Sequence, residues 1–212
     1  MQHNDFRRVW PLGLAAGLVG WSFVVPRLPA RWRLPLQAGV AGLLVLVTRP
    51  SLGLRPPRLW AGLRLGLAAG SAAAGGVVAA TSIPAVRRSM IGRELPAPAP
   101  WLALQIPLGT VWGEEAAFRA ALATVGARVY GASGGRLLQA AAFGLSHISD
   151  ARATGEPVLP TVLATSGAGW VLGWLAERSG SLGAPVLVHL AINEAAAAAA
   201  LTIQRRSRSS LR

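Results

Sequence analysis

Long apolar stretches recur along the whole chain and constrain its fold more than any other feature. Seven of them are separated by short segments rich in proline, glycine and arginine, and they cover about 9–26, 34–48, 59–84, 101–125, 134–149, 157–176 and 182–203. A stretch of about 18 or more apolar residues can cross a bilayer as a helix. The second and fifth stretches are shorter, so we expect them to be tilted, buried or half-spanning. The sequence therefore predicts an all-α, polytopic membrane helix bundle of about seven transmembrane or membrane-embedded helices.

The composition agrees with a single integral membrane domain over residues 1–212. Charged residues make up 14% of the chain and apolar residues 52%, whereas soluble domains carry about 25% charged residues. All 21 basic residues are arginine, which, with the abundance of alanine, glycine and proline, indicates the compositional bias of a high-GC bacterial source. We therefore expect a multi-pass protein of a bacterial cell membrane, with N-terminal membrane helices at about 9–95 and a polar, motif-bearing core at about 100–203.

The net charge of +13 does not indicate a nucleic-acid-binding protein. The arginines occur in short clusters between the apolar stretches, as in loops that face anionic lipid headgroups; these clusters include Arg27, Arg31 and Arg33; Arg87, Arg88 and Arg93; and Arg205, Arg206 and Arg208. We expect the lipid bilayer, and no nucleic acid, as a partner. The absence of cysteine excludes disulfides and thiolate metal sites.

Small residues spaced four apart predict faces on which membrane helices pack closely, because small side chains let two backbones approach each other. Such spacings occur at three places: Gly13 and Gly17; Gly62, Gly66 and Gly70; and Gly169 and Gly173. A chain this rich in alanine and glycine also yields such spacings by chance.

The segment WGEEAAFRA, residues 112–120, places three charges inside an apolar run. Each charge at bilayer depth costs about 2.5–3.5 kcal/mol on insertion scales, which favours a functional or paired role. On a helix Glu115 and Arg119 lie four apart on one face and in the favourable order for an ion pair. Glu114 points about 100° away and has no partner in its own helix. We therefore interpret Glu114 as the candidate reactive carboxylate and the other two as structural.

Two later apolar segments also carry polar groups. One ends in FGLSH, from Phe143 to His147, and the other reads VHLAIN, with His189 and Asn193 four apart on one face. A carboxylate can take a proton from water, an imidazole can hold that water or protonate a leaving amine, and a second imidazole and an amide can stabilise an oxyanion. Each group also has a structural interpretation: an interfacial histidine for His147, and a polar clasp between helices for His189 and Asn193.

These three motifs together resemble the CPBP family of intramembrane proteases, which includes the type II CAAX prenyl endopeptidases and bacteriocin-processing or immunity proteins. The family pattern is EExxxR, then FxxxH, then HxxxN or HxxxD on successive membrane helices. The matching residues here are Glu114, Glu115 and Arg119; Phe143 and His147; and His189 and Asn193. The resemblance covers about 100–203.

The resemblance implies catalytic roles for Glu114, His147, His189 and Asn193. Glu114 would activate a water that His147 helps to hold, and His189 with Asn193 would stabilise the oxyanion. Structural support would come from Glu115, Arg119 and Phe143. The family is commonly labelled as metalloproteases, but the chain has no HExxH motif. We favour a mechanism without a metal cofactor; zinc held by Glu114, His147 and His189 is the alternative.

The expected substrate is a membrane-associated peptide or protein, such as a lipidated or bacteriocin-like one. Two other classes of function stay open at this point. Intramembrane ionisable residues also serve in proton-coupled transporters and channels, although we find no internal repeat of the kind that many transporters show. A catalytically silent membrane immunity or scaffold protein would also keep the helix bundle.

Overall fold

The computed structural model describes residues 2–209, with side chains from residue 9 onward, and this part of the chain is helical without any strand. A helix that runs on to Ser146 is broken at Gly131, where φ is 76° and ψ is 170°; we number its two parts α5 and α6. The elements are α1 (Gln2–Val24), α2 (Ala30–Thr48), α3 (Arg58–Ala80), α4 (Pro84–Ile91), α5 (98–130), α6 (132–146), α7 (Ile148–Thr154), α8 (Val158–Ser179) and α9 (Gly183–Ser209). The seven long helices confirm the predicted all-α bundle, and α4 and α7 are short connecting helices.

Four segments are long and apolar enough to cross a membrane: Val9–Arg27, α3, α8 and α9. Large apolar side chains cover the outer surface; Leu46 and Leu163, for example, are 72% and 63% exposed. An apolar exterior of this kind suits contact with lipid and would be unusual on a soluble monomer. The chain is therefore an integral membrane protein.

Short connections join the long helices, so successive helices run in opposite directions. The C-terminal ends of α1, α3, α6 and α9 consequently lie on one side of the bundle, which we call the C-terminal side. The segments 25–29, 81–97 and 147–157, with α4 and α7, lie on the same side.

The small-residue face of α3 packs closely against α9, as predicted. A Cβ built at Gly66 would lie 3.0 Å from the Cα and carbonyl oxygen of Ala184, so a side chain there would require α9 to shift by a few tenths of an ångström. Gly62 and Gly70 meet α9 in the same way, and Gly169 and Gly173 of α8 meet α6.

The close-packing face predicted at Gly13 and Gly17 of α1 is wrong. A Cβ at either position meets no atom within 4 Å. The inner face of α1 instead presents Ala15 and Leu18, which join the apolar core around Phe118. The larger side chains on this face fill the space to α5, so the glycines are turned away from the bundle.

The central part of helix α5, which carries the charged segment, lies in the interior of the bundle. The stretches Trp101–Trp112 and Glu115–Leu122 have π-helical hydrogen bonding, a form that is rare in proteins and frequent at functional sites. Pro107 lies in the first stretch, where it lacks an N–H for the regular helical ladder. All eight residues of Glu115–Leu122 are buried, so their polar side chains must find partners inside the protein.

Candidate active site

Glu115 and Arg119 form a buried ion pair within a cluster of polar side chains inside the bundle. Arg119 Nη1 lies 3.3 Å from Glu115 Oε1, and both side chains are completely buried. This is the pairing that the spacing of four residues on α5 predicts. Arg119 also stacks on the Phe143 ring, with its guanidinium carbon 3.8 Å from the ring centroid. This cation–π contact matters because the three guanidinium nitrogens have no hydrogen-bond acceptor among the described residues.

Glu115 has a second partner that the sequence did not indicate. His189 Nδ1 of α9 lies 2.7 Å from Glu115 Oε1, in a buried hydrogen bond between residues 74 positions apart. A carboxylate can only accept a hydrogen bond, so Nδ1 of His189 carries the proton and donates. This contact fixes the orientation of the imidazole ring, as carboxylates do for histidines in other active sites.

Glu114 faces the other nitrogen of the same imidazole. Its Oε2 lies 3.7 Å from His189 Nε2, and its side chain is 27% exposed, in contrast to the fully buried Glu115. His189 therefore lies between two carboxylates. If it carries both ring protons, the charges of Glu114, Glu115, Arg119 and His189 sum to zero, which is the favourable state for a buried cluster.

Phe143 of α6 is the apolar centre around which the site is arranged. Its ring packs edge-on against His147 at a centroid distance of 4.6 Å, against Phe118 at 5.3 Å and against His189 at 6.2 Å. A side chain that contacts both histidines and the arginine holds them in fixed relative positions.

The orientation of His147 leaves one ring nitrogen available. Its Nδ1 lies 2.8 Å from the carbonyl oxygen of Phe143, one helical turn earlier. Because a carbonyl oxygen only accepts, Nδ1 donates, and Nε2 keeps its lone pair. His147 can therefore accept a proton from a water or hold it at Nε2.

Glu114 and His147 line one cavity. Helices α1 and α2 form the opposite wall with mostly apolar side chains, including Leu18, Trp21 and Val40. Asp150 of α7 also lines the cavity. The sequence analysis did not select it; its position three residues after His147, on the same helical face, was the available signal.

Two of the predicted catalytic residues, Glu114 and His147, line the cavity; His189 does not line it but contacts Glu114, and Asn193 also lies outside the lining. Asn193 Nδ2 donates to the carbonyl oxygen of His189 in the same helix at 3.0 Å. The structure thus brings together Glu114, His147 and His189 with the three supporting residues, while Asn193 lies one turn beyond His189.

Among the side chains that the structure describes, from residue 9 to residue 209, no group of three or more histidine, aspartate or glutamate residues is placed to hold a metal ion. The zinc ligands considered from the sequence, Glu114, His147 and His189, are all close to the cavity. Nδ1 of His189 is held by Glu115 and Nδ1 of His147 by a backbone carbonyl, so each imidazole has only its Nε2 to offer as a ligand.

Comparison with known proteins identifies one family. The model of the type II CAAX prenyl endopeptidase, Rce1-like family matches residues 96–195, just under half of the chain. This match confirms the resemblance that the three motifs predict, and it supports a membrane enzyme of the CAAX-protease type. No curated protein and no solved structure matches the chain.

Proposed function

We propose, from the similarity of residues 96–195 to type II CAAX prenyl endopeptidases, that the chain is an intramembrane endopeptidase. It would hydrolyse a peptide bond in a membrane-associated peptide or protein, such as a lipidated or bacteriocin-like one. The observation that carries the proposal is that Glu114 and His147, whose Nδ1 is held by the backbone, line one cavity inside a membrane bundle. A carboxylate and an imidazole at such a place can activate a water for attack.

In the proposed first step, a water in the cavity donates one hydrogen bond to Glu114 and the other to Nε2 of His147. Glu114 takes the proton as the water oxygen attacks the carbonyl carbon of the scissile bond. The partly exposed side chain of Glu114 suits this role, since it is open to the cavity while Glu115 is sealed from it. The products of this step are a protonated Glu114 and a tetrahedral oxyanion.

Collapse of the tetrahedral intermediate breaks the C–N bond, and Glu114 returns its proton to the leaving amine. Before that collapse the oxyanion needs a donor, and His189 Nε2 can donate to it when the ring carries both protons, since Nδ1 already donates to Glu115. Asn193 is the proposed second donor; it would have to exchange its hydrogen bond to the helix backbone for one to the oxyanion. Each such donor contributes about 10²–10³ in rate in other enzymes.

Glu115, Arg119 and Phe143 act on the chemistry indirectly in this proposal. Glu115 orients His189, Arg119 balances the charge of Glu115, and Phe143 separates the two histidines. None of the proposed steps uses a metal ion.

The test compares the wild type with Glu114→Gln in lipid nanodiscs. Two probes are used: a farnesylated peptide that ends in a CAAX sequence, and membranes of source cells that lack the protein. We expect the wild type to generate new peptide termini in at least one probe and Glu114→Gln to generate none. The matched control is Glu94→Gln, the same change at an exposed residue outside the cavity, and it should keep full activity.

Two results would contradict the proposal. Equal cleavage by the wild type and Glu114→Gln would remove Glu114 from the reaction. Absence of cleavage in both probes, together with a proton flux in liposomes that Glu114→Gln abolishes, would instead favour a transporter or channel.

A further inference from the structure

The last turns of α9 extend beyond the apolar part of a membrane. The helix has 27 residues, a length of about 40 Å at 1.5 Å per residue. The hydrocarbon core of a bilayer is about 30 Å thick and takes up about 20 residues. Counted from Gly183, the segment 204–208 therefore lies at the level of the lipid headgroups.

At this level α9 and the segment 91–98 enclose an open groove, which we call the basic groove. Gln204 fastens its two walls together, since its Nε2 donates to the carbonyl oxygens of Met90 at 2.9 Å and Arg93 at 2.7 Å. Arg93 in turn forms an ion pair with Glu156 of the segment before α8. The groove is thus held by side-chain contacts from three parts of the chain.

The groove carries an excess of positive charge. Arg205 and Arg208 line it and are exposed, and neither has a carboxylate within ion-pair distance among the side chains that the structure describes. Arg93 also lines it but is already paired with Glu156, and Glu94 is the one carboxylate in the lining. Two arginine guanidinium groups that lack a counter-ion suit a phosphate, which accepts bidentate hydrogen bonds.

The other part of the groove is apolar. Ile91, Leu95 and Leu201 line it beside the arginines, and Leu201 lies just inside the hydrocarbon boundary estimated above. A free phosphate or an acidic peptide would make no use of such a wall. A phospholipid would, because its acyl chains descend from the phosphate into the membrane.

We propose that the basic groove binds the headgroup of an anionic phospholipid through Arg205 and Arg208, with an acyl chain against Leu201. The groove lies on the C-terminal side of the bundle. On this side Arg93 is paired with Glu156, only a few residues from α7, whose Asp150 lines the active-site cavity. The proposal therefore predicts that the anionic leaflet and the catalytic cavity are on the same side of the membrane. It does not depend on the proteolytic function.

The test uses native mass spectrometry of the full chain in detergent, with palmitoyl-oleoyl phosphatidylglycerol and the zwitterionic phosphatidylcholine of the same acyl chains. We expect the wild type to retain the phosphatidylglycerol in preference to the phosphatidylcholine. The double variant Arg205→Gln/Arg208→Gln should bind the phosphatidylglycerol about 25-fold more weakly. This is about fivefold per arginine, the factor that corresponds to about 1 kcal/mol for a basic residue near an anionic surface.

The matched control is Arg55→Gln/Arg178→Gln, which removes two exposed arginines on the opposite side of the bundle. It should leave phosphatidylglycerol binding within about twofold of the wild type, since local phosphate contacts and not net charge set the affinity. Equal losses in the two double variants would overturn the proposal. A wild-type melting temperature in detergent for Arg205→Gln/Arg208→Gln shows that the loss of binding is not a loss of folding.

Two competitors distinguish the sources of the anion. Excess inorganic phosphate and a poly-glutamate peptide should each fail to displace the bound phosphatidylglycerol, because neither uses the apolar wall. Displacement by phosphate would show a site for free phosphate, and displacement by the peptide a docking site for acidic protein segments. Either result would refute the assignment to a lipid.

Discussion

Replacement of Glu115 by glutamine should destabilise the protein far more than the same change at Glu114. Glu115 and Arg119 are both fully excluded from solvent and 3.3 Å apart, so solvent screening does not weaken the pair. Removing one partner of such a pair leaves a buried charge without compensation and costs about 3–5 kcal/mol. For a chain of this length, that corresponds to a decrease in melting temperature of about 6–20 °C.

The measurement is thermal unfolding in a single detergent, with Glu177→Gln as the matched control. Glu177 pairs with Arg136 at 2.6 Å, but its side chain is 41% exposed, and pairs at such exposed positions contribute about 1 kcal/mol or less. The melting temperature of Glu177→Gln should therefore stay within about 4 °C of the wild type. Glu114→Gln should also stay close to it, because Glu114 is partly exposed and makes no hydrogen bond through its buried Oε2.

A double variant shows whether the instability of Glu115→Gln comes from the unpaired charge of Arg119 or from altered packing. Glu115→Gln/Arg119→Met removes both charges at once, and the replacement of a buried pair by apolar groups is often close to neutral. The double variant should thus be more stable than Glu115→Gln alone. If Glu115→Gln melts at the same temperature as Glu177→Gln, the buried pair does not stabilise the bundle more than the exposed pair does.

Three further predictions concern packing, the oxyanion and metal dependence. Gly66→Ala places a Cβ 3.0 Å from Ala184 and should lower the free energy of unfolding by about 1–3 kcal/mol, measured by thermal unfolding. Gly75→Ala in the same helix is the control: a Cβ there meets no atom within 4 Å, so this variant should be as stable as the wild type. Equal effects of the two variants would refute the close packing of α3 on α9. Asn193→Ala should lower kcat about 10²–10³-fold with little change in melting temperature, and an unchanged kcat would exclude it as an oxyanion donor. Dialysis against a strong chelator should leave activity intact, whereas a loss that zinc restores would favour the metal mechanism.

The sequence by itself determined the class of fold and the candidate site residues. Continuous apolar stretches of this length satisfy their backbone polar groups in lipid as helices, so the all-α bundle follows from composition and length. Helical spacing likewise separated the two adjacent glutamates, because residues four apart share a face and residues one apart do not. The contact of Arg119 with Glu115, and the absence of one with Glu114, follow from this local geometry.

Contacts between helices could not be obtained in this way. The hydrogen bond from His189 to Glu115 joins residues 74 positions apart, and no periodicity within α5 or α9 specifies which faces of the two helices meet. The same limitation explains why Gly13 and Gly17 were assigned to a packing face that the neighbouring Ala15 and Leu18 occupy.

Only the tertiary structure decided what surrounds the side chains of Glu114 and His147. Helices α1 and α2, which carry none of the three motifs, form the wall of the cavity opposite Glu114 and His147. The return of the chain through α7 adds Asp150 to that cavity, a residue that the sequence analysis did not select. Pairing, burial and access to water depend on how distant helices are placed against one another, and the spacing of residues along the chain does not contain that information.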